Sequence, residues 1–273
     1  MKNVRMLLVS TSLCLLSKVA FAQSTPSALD DPALGSQSAS EHGAVPREIP
    51  IVAYTYSAYG TAAKTMGVQA YGLGLVASGQ DRVLGGGGTV WGSPVDRLTL
   101  IADGQRSLMR EFSPSVAAIA RLYGGGREGF SLGAIGKYKI DGFASGSSHD
   151  EIESEMEVGV LASYRAFGWY LDANLIAGRG LGDEGETDGE GRVRAGRDVG
   201  SWVRLGFDGQ IRSRLAGPRY LPNGRTWDFA AGPQIVAFVD RFYGSMTAGP
   251  TTVGLLSTDV GWSAMLSIGG VAF

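Results

Sequence analysis

The chain contains few of the residues on which many functional sites depend. Among its 273 residues there are only 1 Cys and 2 His. Neither sign of charge is in excess, because 24 basic residues stand against 26 acidic ones, a net charge of −2. A nucleic-acid-binding face needs a basic excess, so nucleic acid is not expected as a partner. The apolar content of 44% is too high for a disordered chain.

Glycine, in contrast, is abundant. The 42 glycines are about twice the average usage of ~7%. They follow no Gly-X-Y period, which excludes a collagen-like chain. Many of them lie inside segments that alternate apolar and polar residues, where a curved sheet tolerates bends.

The first 22 residues are predicted to be a secretory signal peptide. Lys2 and Arg5 precede an apolar run of 11 residues, 6–16, and Ala20-Phe21-Ala22 fits the small-x-small cleavage rule. The run is too short for a membrane-spanning helix, which needs about 20 residues. The single Cys14 lies in this run, so the mature chain is expected to have neither a disulfide nor a cysteine metal site. Removal of three basic residues from 24 leaves 21 against 26 acidic ones, a net charge of −5.

Alternation with a period of two residues is the main pattern in the rest of the chain. In 151–165, four glutamates at odd positions share one face, and the apolar residues from Ile152 to Tyr164 share the other. Only a strand separates the two sets in this way. The segments 129–141 and 198–215 repeat the pattern. No apolar run of 18 residues follows Ala22, so no transmembrane helix is predicted.

Three features favour membrane strands over a soluble β protein, which is the alternative. The alternating segments are long, about 10–15 residues against a usual ~5–6. The chain ends on Phe273 at the close of an apparent strand. Aromatic residues cluster near the predicted strand ends: Trp91, Tyr123, Phe167, Trp169, Tyr170, Trp227, Phe242, Tyr243 and Trp262.

With these features the chain resembles the outer-membrane β-barrel proteins of Gram-negative bacteria. The resemblance implies an all-β fold, a transmembrane antiparallel up-and-down β-barrel with apolar side chains towards lipid and polar ones in the lumen. It implies an outer-membrane location and contact with outer-membrane lipid and lipopolysaccharide. It also implies periplasmic chaperones as partners, and Phe273 as the assembly signal for the barrel-assembly machinery.

We predict about ten strands, with eight or twelve as alternatives. The strands are expected at 65–77, 82–91, 96–110, 114–122, 129–141, 152–165, 168–178, 198–215, 225–243 and 259–273. External loops are expected at 142–151, 179–197 and 244–258, and periplasmic connections include 92–95, 165–168 and 216–224. The predicted domains are the signal peptide 1–22, a flexible periplasmic leader 23–60 and the barrel 61–273. Within the leader, 49–60 is either an extra strand or a segment lying in the lumen.

The charged residues on the polar faces are the candidate site, because they would line the lumen. Across loop 142–151 we expect Lys139 to face Glu153 and Lys137 to face Glu155. Either these charges neutralise one another and fill a narrow barrel, or they line a pathway for small polar solutes. The predicted lumen-lining residues are Arg97, Arg121, Lys137, Lys139, Glu153, Glu155, Asp172, Arg204, Asp208 and Arg212.

No catalytic set, metal site or cofactor site is predicted. His42 lies in the leader, and the neighbours of His149 do not form a nucleophile–base–acid arrangement. The acidic loop 179–197 lacks the spacing of calcium ligands. The sequence therefore favours a non-enzymatic outer-membrane barrel, either a narrow pore for small solutes or a structural envelope protein. The alternative is a surface interaction or adhesion barrel that acts through external loops 142–151 and 179–197. A lipid-modifying enzyme is a third hypothesis.

Overall fold

The computed structural model describes residues 49, 51–52, 54–61, 63–76, 83–107, 112–124, 128–141, 153–182, 185–217, 226–252 and 260–272. The predicted signal peptide 1–22, most of the leader, loop 142–151 and Phe273 lie outside these residues. Val45–Phe273 form one compact unit. Among the described residues there is no helix long and apolar enough to cross a membrane.

Twelve antiparallel strands form a closed barrel in which every strand pairs with its neighbours in the sequence, and β14 closes the ring on β3. A short separate hairpin, β1 (Ile51–Val52) and β2 (Thr55–Tyr56), precedes it. The barrel strands are β3 (Thr65–Val76), β4 (Val83–Val95), β5 (Leu98–Ser107), β6 (Phe112–Tyr123), β7 (Gly129–Asp141), β8 (Glu153–Ala166), β9 (Trp169–Gly180), β10 (Thr187–Val199), β11 (Val203–Ala216), β12 (Trp227–Val239), β13 (Phe242–Thr251) and β14 (Gly261–Ala272).

The barrel is confirmed, but the preferred count of ten strands is wrong, because twelve are present. Most of strand β10 lies in the predicted external loop 179–197, and most of β13 lies in the predicted loop 244–258. In β10 the inward positions from 188 to 194 are charged, and the outward positions hold Gly189 and Gly191 before Val193 and Val199. The first half of the strand therefore has no large apolar side chain on its lipid face, so the sequence lacks hydrophobic alternation there and resembles a polar loop.

The two additional strands, β10 and β13, change which connections lie at each end of the barrel. Five connections of two to five residues lie at one end, called the turn end, and six of four to eleven residues lie at the other, called the loop end. Segment 216–224, predicted to be periplasmic, belongs mostly to the connection after β11 at the loop end. The turn predicted within 165–168 is confirmed at Phe167-Gly168, whereas the one predicted at 92–95 lies at Asp96-Arg97.

The barrel wall is apolar outside and polar inside. In β9 the exposed and buried residues alternate strictly from Trp169 to Gly178, with Leu171 and Leu175 outward and Asp172 and Asn174 inward. Other exposed apolar side chains belong to the outward positions of the remaining strands, among them Val68, Val116, Val158, Phe207, Ile235 and Ile268. Three of the aromatic residues predicted near strand ends have buried side chains and do not belong to the outer surface: Trp91, Tyr170 and Tyr243.

The seam between β12 and β13 lacks part of its ladder. Pairing stops at Ala230↔Thr251 and resumes at Gln234↔Thr247. Pro233 and Pro250 lie in the gap, and proline has no N–H to donate across a seam. The two backbones nevertheless come close there.

Replacement of Gly249 tests this close approach. A Cβ at Gly249 would lie 2.0 Å from the carbonyl oxygen of Ala231, and backbone cannot move aside as a side chain can. We expect Gly249→Ala to lower the free energy of unfolding by about 1–3 kcal/mol, the usual cost of overpacking. Urea denaturation of the detergent-folded protein measures it. Gly136→Ala is the control, because a Cβ at Gly136 meets nothing within 4 Å; a similar loss in both variants would contradict the prediction.

Candidate functional site: the barrel lumen

The lumen contains a segment of the chain that precedes the barrel. The described residues of 49–61, here called the lumen hairpin, comprise β1, β2 and the residues that follow them, which turn at Ala58-Tyr59. Thr55, Ser57 and Ala58 are 0% exposed, and Tyr56 and Tyr59 are each 5% exposed. Of the two alternatives for 49–60, the structure thus shows the segment in the lumen, because its hydrogen-bond partners lie on the inner faces of β7, β8, β9 and β11.

The lumen hairpin enters from the turn end. Its last residues meet the wall near the turns, where Thr61 hydrogen-bonds Ser93 and Ala63 N–H donates to Asp96 Oδ1 at 2.9 Å. Its tip reaches further inside, where Thr55 Oγ1 donates to Asp208 Oδ1 at 2.6 Å. Apolar side chains of the wall and the hairpin form a buried cluster: Ile49, Tyr56, Ala58, Trp91, Ile101, Ile119, Ile135, Leu161, Ile176, Val236, Phe238, Tyr243 and Val271. The hairpin therefore completes a core that the wall alone would leave open.

Asp172 on β9 is the centre of a buried ionic cluster. Its side chain is 0% exposed. Oδ2 accepts from Arg194 Nε at 2.9 Å and Nη2 at 2.7 Å, and Oδ1 accepts from Ser163 Oγ at 2.6 Å. Arg165 Nη2 lies 3.1 Å from Oδ1. One carboxylate thus holds two guanidinium groups between neighbouring strands.

Tyr170 extends this cluster towards the turn end. The guanidinium carbons of Arg204, Arg165 and Arg194 lie 4.7, 5.4 and 5.7 Å from its ring centroid. Arg204 also bonds Asp198 Oδ1 at 2.8 Å. An aromatic face attracts cations, and this effect is larger where water is excluded.

Asp208 on β11 connects the tip of the hairpin with the neighbouring strands β12 and β13. Besides Thr55, it accepts from the main-chain N–H of Tyr54 at 3.3 Å and from Gln234 Nε2 at 3.1 Å. Gln234 Nε2 also lies 3.2 Å from Thr247 Oγ1. A continuous polar chain therefore runs from the hairpin to β13.

Charges of both signs line the wall on the loop side of the hairpin tip. Arg212 Nε donates to Asp188 Oδ2 at 2.9 Å, and Arg192 Nε donates to Glu190 Oε2 at 2.9 Å. Arg214 Nε lies 2.8 Å from Asp188 Oδ1. Acidic residues of β10 are thus matched with arginines of β10 and β11.

The ion pairs between β7 and β8 confirm opposite charges across this seam but correct the predicted register by two residues. Lys137 pairs with Glu157, at 2.9 Å, and Lys139 with Glu155, at 3.9 Å. Glu153 is opposite Asp141 instead. A shift of two residues leaves the same side chains on the inner face, so alternation alone cannot determine it.

A double variant tests the Lys137–Glu157 pair. Glu157→Gln alone leaves the Lys137 ammonium without its carboxylate, which we expect to cost about 1–3 kcal/mol of unfolding free energy. Adding Lys137→Met removes the stranded charge and should restore part of the loss. Urea midpoints of the single and double variants measure the difference. A double variant less stable than the single one would contradict this account.

Most predicted lumen residues lie on the inner face, and they fall into separate groups. Lys137, Lys139 and Glu155 belong to the β7–β8 seam. Arg121 Nη1 donates to the carbonyl of Tyr59 at 3.0 Å, nearer the turn end. The other inward residues, already described, are Asp172, Arg204, Asp208 and Arg212.

Two predicted residues are placed differently. Arg97 lies exposed in the turn between β4 and β5, so it does not line the lumen. Glu153 is the first residue of β8, and its side chain is outside what the structure describes.

Sequence reasoning missed several functional side chains. Arg192 and Arg194 were assigned to the external loop 179–197, and Arg165 was placed where the strand predicted at 152–165 meets the turn predicted at 165–168. The alternation of charged residues at 188, 190, 192 and 194 was the available signal. Asn174 and Ser163 carry no charge, and only the position of the hairpin reveals their role.

Within the described ranges, no group of three or more His, Cys, Asp or Glu could hold a metal ion. The inward charged groups named above are paired with one another or with the lumen hairpin.

No family model and no curated protein matches the chain. Solved structures do match it. The NanC porin superposes with a TM-score of 0.57 at 9% identity, covering 74% of this chain and 98% of that one. An outer membrane channel from Pseudomonas putida F1 gives 0.53 at 12%, covering 82% and 100%. The KdgM porin in complex with disordered oligogalacturonate gives 0.51 at 8%, covering 77% and 99%. The chain therefore has the fold of the bacterial outer-membrane β-barrel porins and channels.

Proposed function

We propose that this protein is an outer-membrane channel for small polar solutes, held closed by the lumen hairpin. The observation that carries the proposal is the division of the lumen. Its loop side is lined by charged side chains of both signs, and its turn side is filled by Tyr54–Thr61. Eight strands enclose a space that side chains fill, so twelve leave room for a pathway or an occupant.

The outer surface supports a membrane location. Exposed apolar side chains cover the outward positions, while the charges are inside, which is the inverse of a soluble barrel. Short connections are periplasmic in this class, so the turn end, where the hairpin enters, would face the periplasm. Lipid would contact the outward face. Contacts with lipopolysaccharide, chaperones and the barrel-assembly machinery stay predictions, and the proposal includes no catalytic step.

The alternative of a surface interaction barrel has lost part of its basis. Most of predicted loop 179–197 is strand β10, which leaves 181–186 as the connection. Loop 142–151 lies outside the described residues. No observation in the structure favours this alternative.

Weakening the lumen hairpin should open the channel. Tyr56→Ala combined with Tyr59→Ala removes two buried rings, and losing such a ring commonly costs about 3–5 kcal/mol. Even about half of this loss would raise the open fraction at least tenfold, because ~1.4 kcal/mol changes an equilibrium tenfold. Conductance of the purified full chain in planar bilayers measures it, with few openings expected for the wild type.

Tyr138→Ala is the matched control, because Tyr138 is an outward-facing tyrosine that is 40% exposed. It should leave the opening frequency unchanged. If the hairpin variant is folded, as a heat-modifiable gel shift would show, and its bilayers are still silent, the channel proposal fails and a structural envelope barrel replaces it.

A further inference from the structure

Side chains of the barrel wall hydrogen-bond mainly to main-chain atoms of the lumen hairpin. Asn174 shows this most clearly. Its Oδ1 accepts from the N–H of Tyr56 at 2.8 Å, and its Nδ2 donates to the carbonyl of the same residue at 3.0 Å. One carboxamide therefore satisfies both main-chain groups of one residue, as a neighbouring β-strand would.

The main-chain groups of the residues two positions before and after Tyr56 are also bonded by side chains of the wall. Ala58 N–H donates to Ser163 Oγ at 2.8 Å, and its carbonyl accepts from Ser131 Oγ at 3.3 Å. Tyr54 N–H donates to Asp208 Oδ2 at 3.3 Å, and its carbonyl accepts from Arg192 Nη1 at 3.1 Å. These partners lie on five adjacent strands, β7 to β11: Ser131, Ser163, Asn174, Arg192 and Asp208.

In a strand the main-chain groups of every second residue face the same edge. Here only Thr55–Tyr56 are strand, and the same alternation continues into the flanking turn residues Tyr54 and Ala58. The opposite edge of β2 pairs with β1, at Ile51↔Tyr56 and Val52↔Thr55. Side chains of the wall thus take the place of a second neighbouring strand. Addition of a peptide strand through main-chain hydrogen bonds is a general mode of peptide recognition.

We propose that this part of the wall is a binding site for an extended polypeptide strand supplied by another molecule, and that the lumen hairpin occupies it within the same chain. Main-chain groups are common to all peptides, so the wall binds a class of ligand and not one sequence. The hairpin acts as a competitor that must leave before the other peptide binds.

The side chains of the hairpin define which peptides fit. Ser57 and Ala58 are 0% exposed, and β7 packs closely on Ala58, because a Cβ built at Gly133 would lie 3.6 Å from Ala58 Cβ, so small residues fit best here. The ring centroid of Tyr56 lies 5.3 Å from the guanidinium carbon of Arg192. The ring centroid of Tyr59 lies 5.1 Å from the guanidinium carbon of Arg165. The ligand class is therefore a peptide segment with a short strand, followed by a turn, in which two small residues lie between aromatic ones.

A labelled peptide with the sequence of residues 54–61 is the probe. Its fluorescence anisotropy is followed while the folded full chain is added in detergent. The Tyr56→Ala, Tyr59→Ala variant, whose hairpin is weakened, should bind the peptide, and the wild type should bind it at least tenfold more weakly because its own hairpin competes. Absence of binding to the variant would overturn the proposal and leave the hairpin as a plug only.

Two changes test whether main-chain contacts carry the affinity. The same peptide N-methylated at the positions of Tyr56 and Ala58 keeps every side chain but lacks the two N–H groups, and it should bind about tenfold more weakly or worse. Asn174→Leu in the wall should have a similar effect. Equal affinity of the methylated and unmethylated peptides would overturn the proposal, and that comparison needs no folded wall variant.

Peptide binding and ion conduction are separate measurements on the same variant. Binding in detergent with silent bilayers would reject the channel and keep the peptide site. Open channels that bind no peptide would reject the peptide site and keep the channel.

Discussion

Asp172→Asn is expected to destabilise the barrel more than any other isosteric change of a single charged residue in the lumen. The substitution keeps the shape of the side chain but removes the charge that holds Arg165 and Arg194, both nearly buried. Removing one partner of a buried ion pair typically costs about 3–5 kcal/mol, because the remaining charge has lost water and gained nothing. Here two guanidinium groups are left. Denaturant unfolding followed by tryptophan fluorescence should show a loss in this range.

Asp198→Asn provides the matched control. Its carboxylate also bonds an arginine, Arg204, but the Asp198 side chain is 24% exposed against 0% for Asp172. Arg204 itself is only 6% exposed, but it keeps its contacts with the rings of Tyr170 and Phe238, and water reaches the partly exposed side chain at position 198. We therefore expect a smaller loss than for Asp172→Asn. Equal losses in the two variants would show that burial is not the reason. Arg194→Gln added to Asp172→Asn should recover part of the stability.

A disulfide between hairpin and wall is expected to make conduction depend on redox state. A Cβ built at Gly133 on β7 lies 3.6 Å from Cβ of Ala58, within the usual range for a disulfide. Ala58→Cys with Gly133→Cys, introduced with Cys14→Ser into the Tyr56→Ala, Tyr59→Ala variant, links the segment to β7. We expect at least a tenfold fall in open events on oxidation, because the hairpin can no longer leave, and recovery on adding a reductant.

Chains carrying Ala58→Cys without Gly133→Cys serve as the control for this experiment. They cannot form the internal link, so their conductance should not respond to oxidant or reductant. Mass spectrometry establishes the bridge independently of conduction. A fully bridged protein that conducts as well as the reduced one would show that ions pass without movement of the hairpin.

The missed strands and the shifted register have different physical causes. Strand β10 was missed because Gly189 and Gly191 leave the lipid face of its first half without large apolar side chains, which begin only at Val193. The β7–β8 register was wrong because pairing Lys137 with Glu155 or with Glu157 puts the same residues inside. Alternation along one strand shows which side chains face inward, but it does not show how that strand aligns with its neighbour.

What the sequence by itself determined was the class of fold and the inside of the wall. Alternation with period two depends only on neighbours along the chain, so it identified strands such as β7, β8 and β9 and the inward positions of Asp172 and Asp208. The tertiary structure decided the number of strands, their register and the place of Tyr54–Thr61. These depend on closure of the ring, because a lumen with room for a hairpin, and the main-chain contacts of Asn174 within it, exist only once twelve strands have met.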